Sequence, residues 1–416
     1  MFRPVPALLA LTVTGALLPA LEISDNDTKF SFGLYLQGVA AKASAANKAG
    51  DSYNAIEGID GRGDDADFYL RRLRTVFKGA HKGFIFQATL SADDYGRVPT
   101  STAPSVGLYD AFVGKEFKMD GGISHRVTFG KQTTWFNTVV TRSSSQQFTT
   151  GRASAAFMNV NGVGVGYRFA APVISLGVDV QNNTGDDSTD QTVTATTPGN
   201  TSTGSNNTGE GLTYTARLEL TGPSADAWAI GKWQESFAGA AGKGVALGLE
   251  AGAVQRDRVD ANAGTAGTQA GSKRTVVTGA DVLLHIDGLT ALAAYHHQAV
   301  EVNADADNKD DSTGGEVFAI QAGYAFPVDG FGVLEPALRY QKIDFDTAND
   351  SEGTPFGSKD YGNSGKQIDV GLNFYLSGHS NKFNLLYTKW TGEDTGKAGE
   401  SAPTANIVRL QHQLQF

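Results

Sequence analysis

The chain has no cysteine among its 416 residues, which excludes a disulfide framework and any thiolate chemistry. Proline is scarce at 12 residues, and the 34 Lys and Arg are outnumbered by 44 Asp and Glu. The resulting net charge of −10 argues against a nucleic-acid partner, because a phosphate backbone demands a basic face. Beyond the N-terminus no segment approaches roughly eighteen consecutive apolar residues, so no helix is long enough to span a bilayer. Catalytic and metal-binding sets are missing too. Gly50–Ser52 reads GDS, but it lies in a Gly/Asp-rich loop with no His block to serve it. The stretch GVGVGY at 162–167 is not followed by a helical pattern and fails the spacing of a dinucleotide fingerprint. Asp305, Asp307 and Glu316 sit at EF-hand-like offsets, yet Lys309 takes a ligand position and the turn glycine is absent, so a solvated acidic loop is the simpler reading. His296 and His297 are adjacent and point to opposite sides of a strand, and Asp281 with His285 is too few ligands for zinc. No cofactor is expected.

What the chain has in abundance is glycine, 51 residues, and a 10% share of aromatics. Its start, MFRPVPALLALTVTGALLPALEIS, places Arg3 before an apolar run from Pro4 to Leu18 and small residues ending at Ala20. Residues 1–20 therefore read as a signal peptide, with 21–416 as the exported body.

From there the dominant signal is period two. Phe30, Phe32, Leu34 and Leu36 alternate with Ser31, Gly33, Tyr35 and Gln37. Phe84, Phe86, Ala88 and Leu90 alternate with Gln87, Thr89, Ser91 and Asp93, and Leu212, Tyr214, Ala216, Leu218 and Leu220 with Thr213, Thr215, Arg217 and Glu219. Ile368, Val370, Leu372, Phe374 and Leu376 oppose Gln367, Asp369, Gly371 and Asn373. The last stretch, NIVRLQHQLQF, sets Val408, Leu410, Leu414 and Phe416 against Ile407, Arg409, Gln411, Gln413 and Gln415. The same alternation recurs at 68–78, 107–117, 125–132, 160–169, 173–182, 244–254, 274–286, 289–298, 315–326, 331–342 and 382–389, for about sixteen strands in all. Several approach the roughly 9–11 residues with which a tilted strand crosses a bilayer.

Connections alternate as well. Gly79–Gly83, Lys118–Ser124, Ala170–Pro172, the Asp287–Gly288 turn, Pro327–Gly330 and Ser377–Asn381 are short. Asp94–Val106, Thr133–Asn159, Asn183–Glu210, Ala299–Gly314, Ile343–Gly365 and Thr391–Thr404 are longer. Tight periplasmic turns and long outer loops are the habit of outer-membrane barrels, and an even strand number puts both termini in the periplasm. Thr221–Lys243 breaks the rule; with Trp228 and Trp233 it reads as a periplasmic insertion or an extra helical turn. The expected fold class is thus all-β, a transmembrane antiparallel up-and-down barrel. A surface-exposed β-rich adhesin is the competing reading.

A barrel of this size leaves an aqueous channel, and the charges agree. The faces opposite the greasy rows carry Arg72, Arg74, Arg126, Arg168, Arg217, Arg339 and Arg409, with Asp110, Asp179, Glu219, Glu250, Asp281, Glu335 and Asp369. An arginine on the lipid face at mid-membrane costs ~2–4 kcal/mol; a set of them would exceed the roughly 5–15 kcal/mol that holds a typical domain together. These side chains must meet water or one another. Arg71, beside Arg72, falls on the outward parity and is expected to snorkel into headgroups. Rows of arginine facing rows of carboxylate create a transverse field, whereas rings of one sign select ions. The lumen is near charge balance, and most of the net charge comes from loops such as NADADNKDD at 303–311.

The block DFYLRRLRTVFKGAHKGFIFQATL at 67–90 resembles the phosphate-selective porin O/P family of Gram-negative outer membranes. LYDAFVGKEF (108–117), RVTFGKQTTWFN (126–137), DVGLNFYLSGHSNKFNLLYT (369–388) and the final IVRLQHQLQF continue the match in order. The resemblance implies a sixteen-strand barrel, usually a homotrimer, in a membrane of lipid and lipopolysaccharide. It also implies passage of small hydrophilic solutes, phosphate or other anions among them, and an inward constriction loop at Thr133–Asn159. Arg72 and Arg74 match the family's arginine ladder, and Lys131 its Gly-Gln/Lys position. Thr133 and Thr134 stand where members commonly carry another Lys and a Pro, leaving Arg142 and Arg152 as the loop's cations. That departure favours a broad anion or small-solute pore over strict phosphate specificity. The expected solute-lining set is Arg72, Arg74, Arg126, Lys131, Arg142, Arg152, Arg168, Arg217, Arg339 and Arg409.

Overall fold

The computed structural model describes residues 21–25, 27–46, 66–93, 106–136, 161–182, 192–197, 200–205, 212–222, 243–259, 270–303, 310–347, 358–359, 364–393 and 404–416. The signal-peptide reading of 1–20, Gly50–Ser52, Asp305, Asp307, Trp228, Trp233, Arg142, Arg152 and most of the expected constriction loop lie outside the described residues.

Sixteen strands form the wall. They are β1 (Thr28–Ala46), β2 (Ala66–His81), β3 (Phe84–Ser91), β4 (Gly107–Met119), β5 (Ile123–Thr133), β6 (Asn161–Ala171), β7 (Ile174–Asn182) and β8 (Leu212–Thr221). They continue as β9 (Lys243–Val259), β10 (Ala270–Ile286), β11 (Leu289–Asn303), β12 (Asp310–Tyr324), β13 (Gly332–Thr347), β14 (Gly365–Ser377), β15 (Asn381–Gly392) and β16 (Thr404–Gln415). Each pairs antiparallel with its sequence neighbours, and β16 pairs β1 from Tyr35↔Gln415 to Ala46↔Thr404, which closes the cylinder. Every one of the alternating segments in the sequence becomes one of these strands. Leu21–Asp25 adds a short strand against Thr28–Phe32, just below the end of β16. Thr192–Thr197 and Asn200–Ser205 make a separate hairpin.

Alternation sets the two faces, because successive Cβ atoms point to opposite sides of a sheet. On β14, Gln367, Asp369, Gly371, Asn373 and Tyr375 are buried within while Ile368, Val370, Leu372 and Leu376 are exposed outside. On β16, Ile407, Arg409, Gln411 and Gln413 are buried, and Val408 on the other face is exposed. On both strands the outward row is the apolar one.

Turn chemistry fixes the short ends. Lys82–Gly83 and Asp287–Gly288 are two-residue turns with positive φ at both positions (47° and 79°, 44° and 95°), the mirror-image geometry whose twist matches a hairpin. At the other end the strands run further than the alternation implied. β1 is 19 residues, roughly 60 Å at about 3.3 Å per residue, twice the ~30 Å hydrocarbon layer. β11 extends to Asn303 and β12 begins at Asp310. Glu316 therefore lies within β12, opposite His297, with its Oε1 3.8 Å from His297 Nδ1. It is on the wall, and the EF-hand-like reading loses that ligand.

Pro336 accounts for one break. The β12–β13 ladder stops at Gly323↔Ala337 and resumes at Phe326↔Leu334 in a short continuation, Phe326–Val328. Proline has no N–H to donate to the ladder.

Candidate pore lining

Two β-bulges shape the inner wall around β2. Gln37 pairs Arg72 while Gly38 pairs Leu70, so Arg71 is the extra residue in β2. A bulge places two consecutive residues opposite one partner residue and re-aims side chains. Arg71 consequently turns inward, is 4% exposed, and donates from Nη1 to Gln411 Oε1 at 3.2 Å. This corrects the expectation that it snorkels outward. The second bulge lies between β3 and β4, where Thr89 pairs Asp110 and Leu90 pairs Leu108. Its extra residue, Tyr109, joins Asp110 on the inner side.

These bulges complete a lattice across β16, β1, β2, β3 and β4. Arg72 Nη1 donates to Gln37 Oε1 at 3.1 Å, and Gln37 Nε2 donates to Gln413 Oε1 at 2.8 Å. Arg74 donates through Nε and Nη2 to the Asp93 carboxylate, and its guanidinium carbon lies 3.9 Å from the centre of the Tyr109 ring. Gln87 Nε2 donates to Asp110 at 3.1 Å. Arg72 and Arg74 thus hold the inward positions expected of them.

On the next strands, Arg126 stands opposite Glu116 of β4 and Arg168 of β6, and it is exposed. Arg168 grips Asp179 with one nitrogen on both oxygens, at 2.7 and 2.9 Å. Lys131 departs from expectation. It pairs Ala111 and Val163, on the side of Val127, Phe129 and Val165, which are exposed outward. The inward side of this end of β5 belongs to Thr128 and Gln132, buried and hydrogen-bonded to each other at 2.7 Å. Lys131 lies near the outer end of β5, where a long stem reaches the headgroups.

Arg217 on β8 is closed to water. Its Nη1 donates to Glu250 at 2.6 Å and Asp281 at 2.7 Å, and Nη2 to Glu219 and Asp281, both at 2.9 Å. His296 Nε2 is hydrogen-bonded to Glu250 at 2.7 Å. Arg339 on β13 donates to Asp369 at 2.6 Å, which also accepts from Gln367 and Thr388. Arg409 is 4% exposed, between Ala41 and Leu386 in register. Arginines and carboxylates therefore pair along the wall, within a strand or across one or two neighbouring strands, rather than facing each other across an open lumen as the alternating signs implied. Buried charges survive only when paired and hydrogen-bonded.

The inner surface is not uniformly polar. Ala246, Leu283, Leu292 and Ala319 form one buried apolar group on β9–β12. Val254 and Val277 form another, and the residue packed on them is Phe136, which follows β5. Thr134, Trp135 and Phe136 run inside the barrel. Trp135 N–H donates to Asp179 at 2.8 Å, and the Phe136 carbonyl accepts from Arg217 at 3.3 Å. The beginning of the expected constriction segment thus enters the lumen; Arg142 and Arg152 fall beyond it, outside the described residues. Sequence reasoning missed Arg71, Tyr109, Trp135 and Phe136 as lining residues. The RR dipeptide at 71–72 held a signal for the first, since two adjacent arginines in a wall strand are cheapest if both face inward.

A closed sixteen-strand cylinder, greasy outside and charged within, defines an outer-membrane porin of the Gram-negative type. The chain belongs to the family of phosphate-selective porins O and P, whose model matches residues 46–416. A search of curated proteins finds no match. Among solved structures, it is similar to outer-membrane-expressed OmpT of Vibrio cholerae, at 10% identity and a TM-score of 0.54, over 95% of this chain and 100% of that one. OmpF of Salmonella typhi in complex with daunomycin is 13% identical with a TM-score of 0.54, covering 95% and 100%. The anion-selective porin from Comamonas acidovorans is 14% identical with a TM-score of 0.50, covering 93% and 100%. At such identities the likeness is one of fold. Family membership makes the chain a channel for passive diffusion of small hydrophilic solutes.

Proposed function

We propose that the pore favours small anions, phosphate among them, and that Arg72, Arg74, Arg126 and Arg168 are its main solute contacts, with the buried Arg71 adding positive charge behind them. The observation that carries this reading is the inward arginine run on β2, enlarged by the bulge that adds Arg71 to Arg72 and Arg74. Arg217 and Arg339 are sealed at 0% and 2% exposure against carboxylates, so their charge is spent on the wall. In a closed cylinder of sixteen strands, β2 lies opposite β10, where Asp281 and neighbouring Glu250 sit. Those carboxylates are 3% and 6% exposed and held by Arg217, so the charge left open to a passing solute is that of the partly exposed arginines on β2 and the exposed Arg126 on β5, which draws an anion to that side.

Further parts of the reading belong to the same proposal. Residues 1–20 act as a signal peptide, Thr133–Asn159 narrows the pore with Arg142 and Arg152 as its cations, and three copies assemble among lipid and lipopolysaccharide. A trimer form of the similar Vibrio cholerae OmpT has been solved. The test is reversal potential in planar bilayers under a salt gradient. Replacing Arg72 and Arg74 together by glutamine moves it toward cations; an unchanged potential removes these residues from selectivity.

A further inference from the structure

The chain does not leave the wall freely where β5 ends at Thr133. Its next three residues are fixed at several independent points. Thr134 is 1% exposed and Phe136 0%. The Trp135 N–H donates to Asp179 of β7. The Trp135 indole lies where a side chain at position 177 would stand: a Cβ added to Gly177 would meet Trp135 Cε3 at 1.9 Å. The guanidinium carbons of Arg168 and Arg217 lie 5.5 and 5.9 Å from that ring, within cation–π range. Phe136 then places its carbonyl on Arg217 and its ring against Val254, Val277 and His296, 6.2 Å between ring centres.

We propose that Trp135 and Phe136 are positioning residues, keying the root of the segment after β5 into a buried charged socket on β7–β11 and so setting the opening of the pore. The inference rests on the reading that this segment narrows the channel. Its physical basis is coupling through shared groups. Asp179 holds both Arg168 and the Trp135 amide, and Arg217 holds three carboxylates and the Phe136 carbonyl. The segment's root thus completes hydrogen bonds that the wall needs for its own buried charges, so withdrawing it is costly. Glycine at 177 is the steric half of the device, since any side chain there displaces the indole.

The experiment uses the full chain, refolded or expressed, with barrel formation checked by heat-modifiable migration. Single-channel conductance and the largest polyethylene glycol that enters the pore are measured for the parent, W135A, W135F, G177A and the W135A/G177A pair. None of these changes alters charge. W135A and G177A each raise conductance and admit larger polymers, and W135F stays close to the parent because a ring is retained. The pair behaves like W135A alone, because Gly177 acts only through Trp135 and coupled sites are not additive. If G177A does not fold, the contrast between W135A and W135F decides. A narrow parent whose conductance and polymer limit are unmoved by W135A overturns the positioning role and leaves the narrowing intact. Additive effects in the pair overturn it as well. A parent that admits polymers as wide as an unobstructed sixteen-strand barrel overturns the narrowing itself, and the positioning role falls with it.

Discussion

Arg217 and Arg72 look alike in the sequence, each an arginine at an inward position of an alternating strand, and the structure gives them opposite surroundings. Arg217 is surrounded by Glu219, Glu250 and Asp281 and has no exposed surface. Arg72 keeps partial exposure and donates to a neutral amide, Gln37. Burial decides the difference, because a guanidinium's field is strongest toward whatever it touches and is blunted elsewhere by its counterions. Arg217→Gln strands a cluster of buried carboxylates and is expected to cost about 3–5 kcal/mol, as breaking a buried ion pair does. The measurement is the temperature at which the heat-modifiable barrel band converts to the unfolded one. It falls clearly for R217Q, while the reversal potential of channels that do form stays near that of the parent. The R72Q/R74Q pair gives the converse pattern, a shifted potential and a barrel of nearly parental stability. Glu250→Gln is milder than R217Q, since it removes one of three carboxylates and leaves the guanidinium paired.

At the scale of strands, the bulge in β2 explains both what the alternation revealed and what it hid. Period two located every wall strand, because each residue there faces either hydrocarbon or the interior and a mismatch is costly at every step. Period counting is blind to an inserted residue. Counting back from Arg74 puts Arg72 inside and Arg71 outside, but the extra residue lets Arg71 and Arg72 share the inner side while Tyr69 stays opposite Val39. Tyr109 was hidden in the same way. Lys131 was misplaced for a different reason: its assignment came from family likeness, whereas Val127 and Phe129 on its own parity already pointed outward. The Trp135 and Phe136 docking was illegible because it depends on β7–β11, distant in sequence and without local pattern. The bulge yields a prediction. Deleting Arg71 restores strict alternation, with Leu70 outside, Arg72 inside and Leu73 outside. The barrel still forms, and its reversal potential moves toward cations by losing one inner charge. Deleting Thr75 instead flips Arg72 and Arg74 to the lipid side or breaks the strand, at about 2–4 kcal/mol per arginine at mid-membrane. Heat-modifiable migration separates the two, retained for the first deletion and lost for the second.

For the whole molecule, closure is the step on which everything else depends, because an open sheet edge cannot persist in hydrocarbon. The seam joins β1 to β16, the first and last strands of the wall, which makes it the contact of highest sequence separation and the slowest to find. Its last rung is Phe416, whose N–H donates to the Leu34 carbonyl at 2.9 Å and whose carbonyl accepts from the Leu34 N–H at 3.2 Å. The side chain of Phe416 shares its row with Val408, Leu410 and Leu414, outside. Backbone and side chain can therefore be tested apart. Removing Phe416 deletes two seam hydrogen bonds, each worth about 0.5–1.5 kcal/mol net and more where no water substitutes. Phe416→Ala keeps both bonds and removes only the ring. In refolding from denaturant into detergent micelles, the fraction reaching the heat-modifiable form falls for the truncation and stays close to the parent for F416A. If F416A fails as badly as the truncation, the ring rather than the rung closes the seam, and the closing role assigned to the backbone pair is wrong.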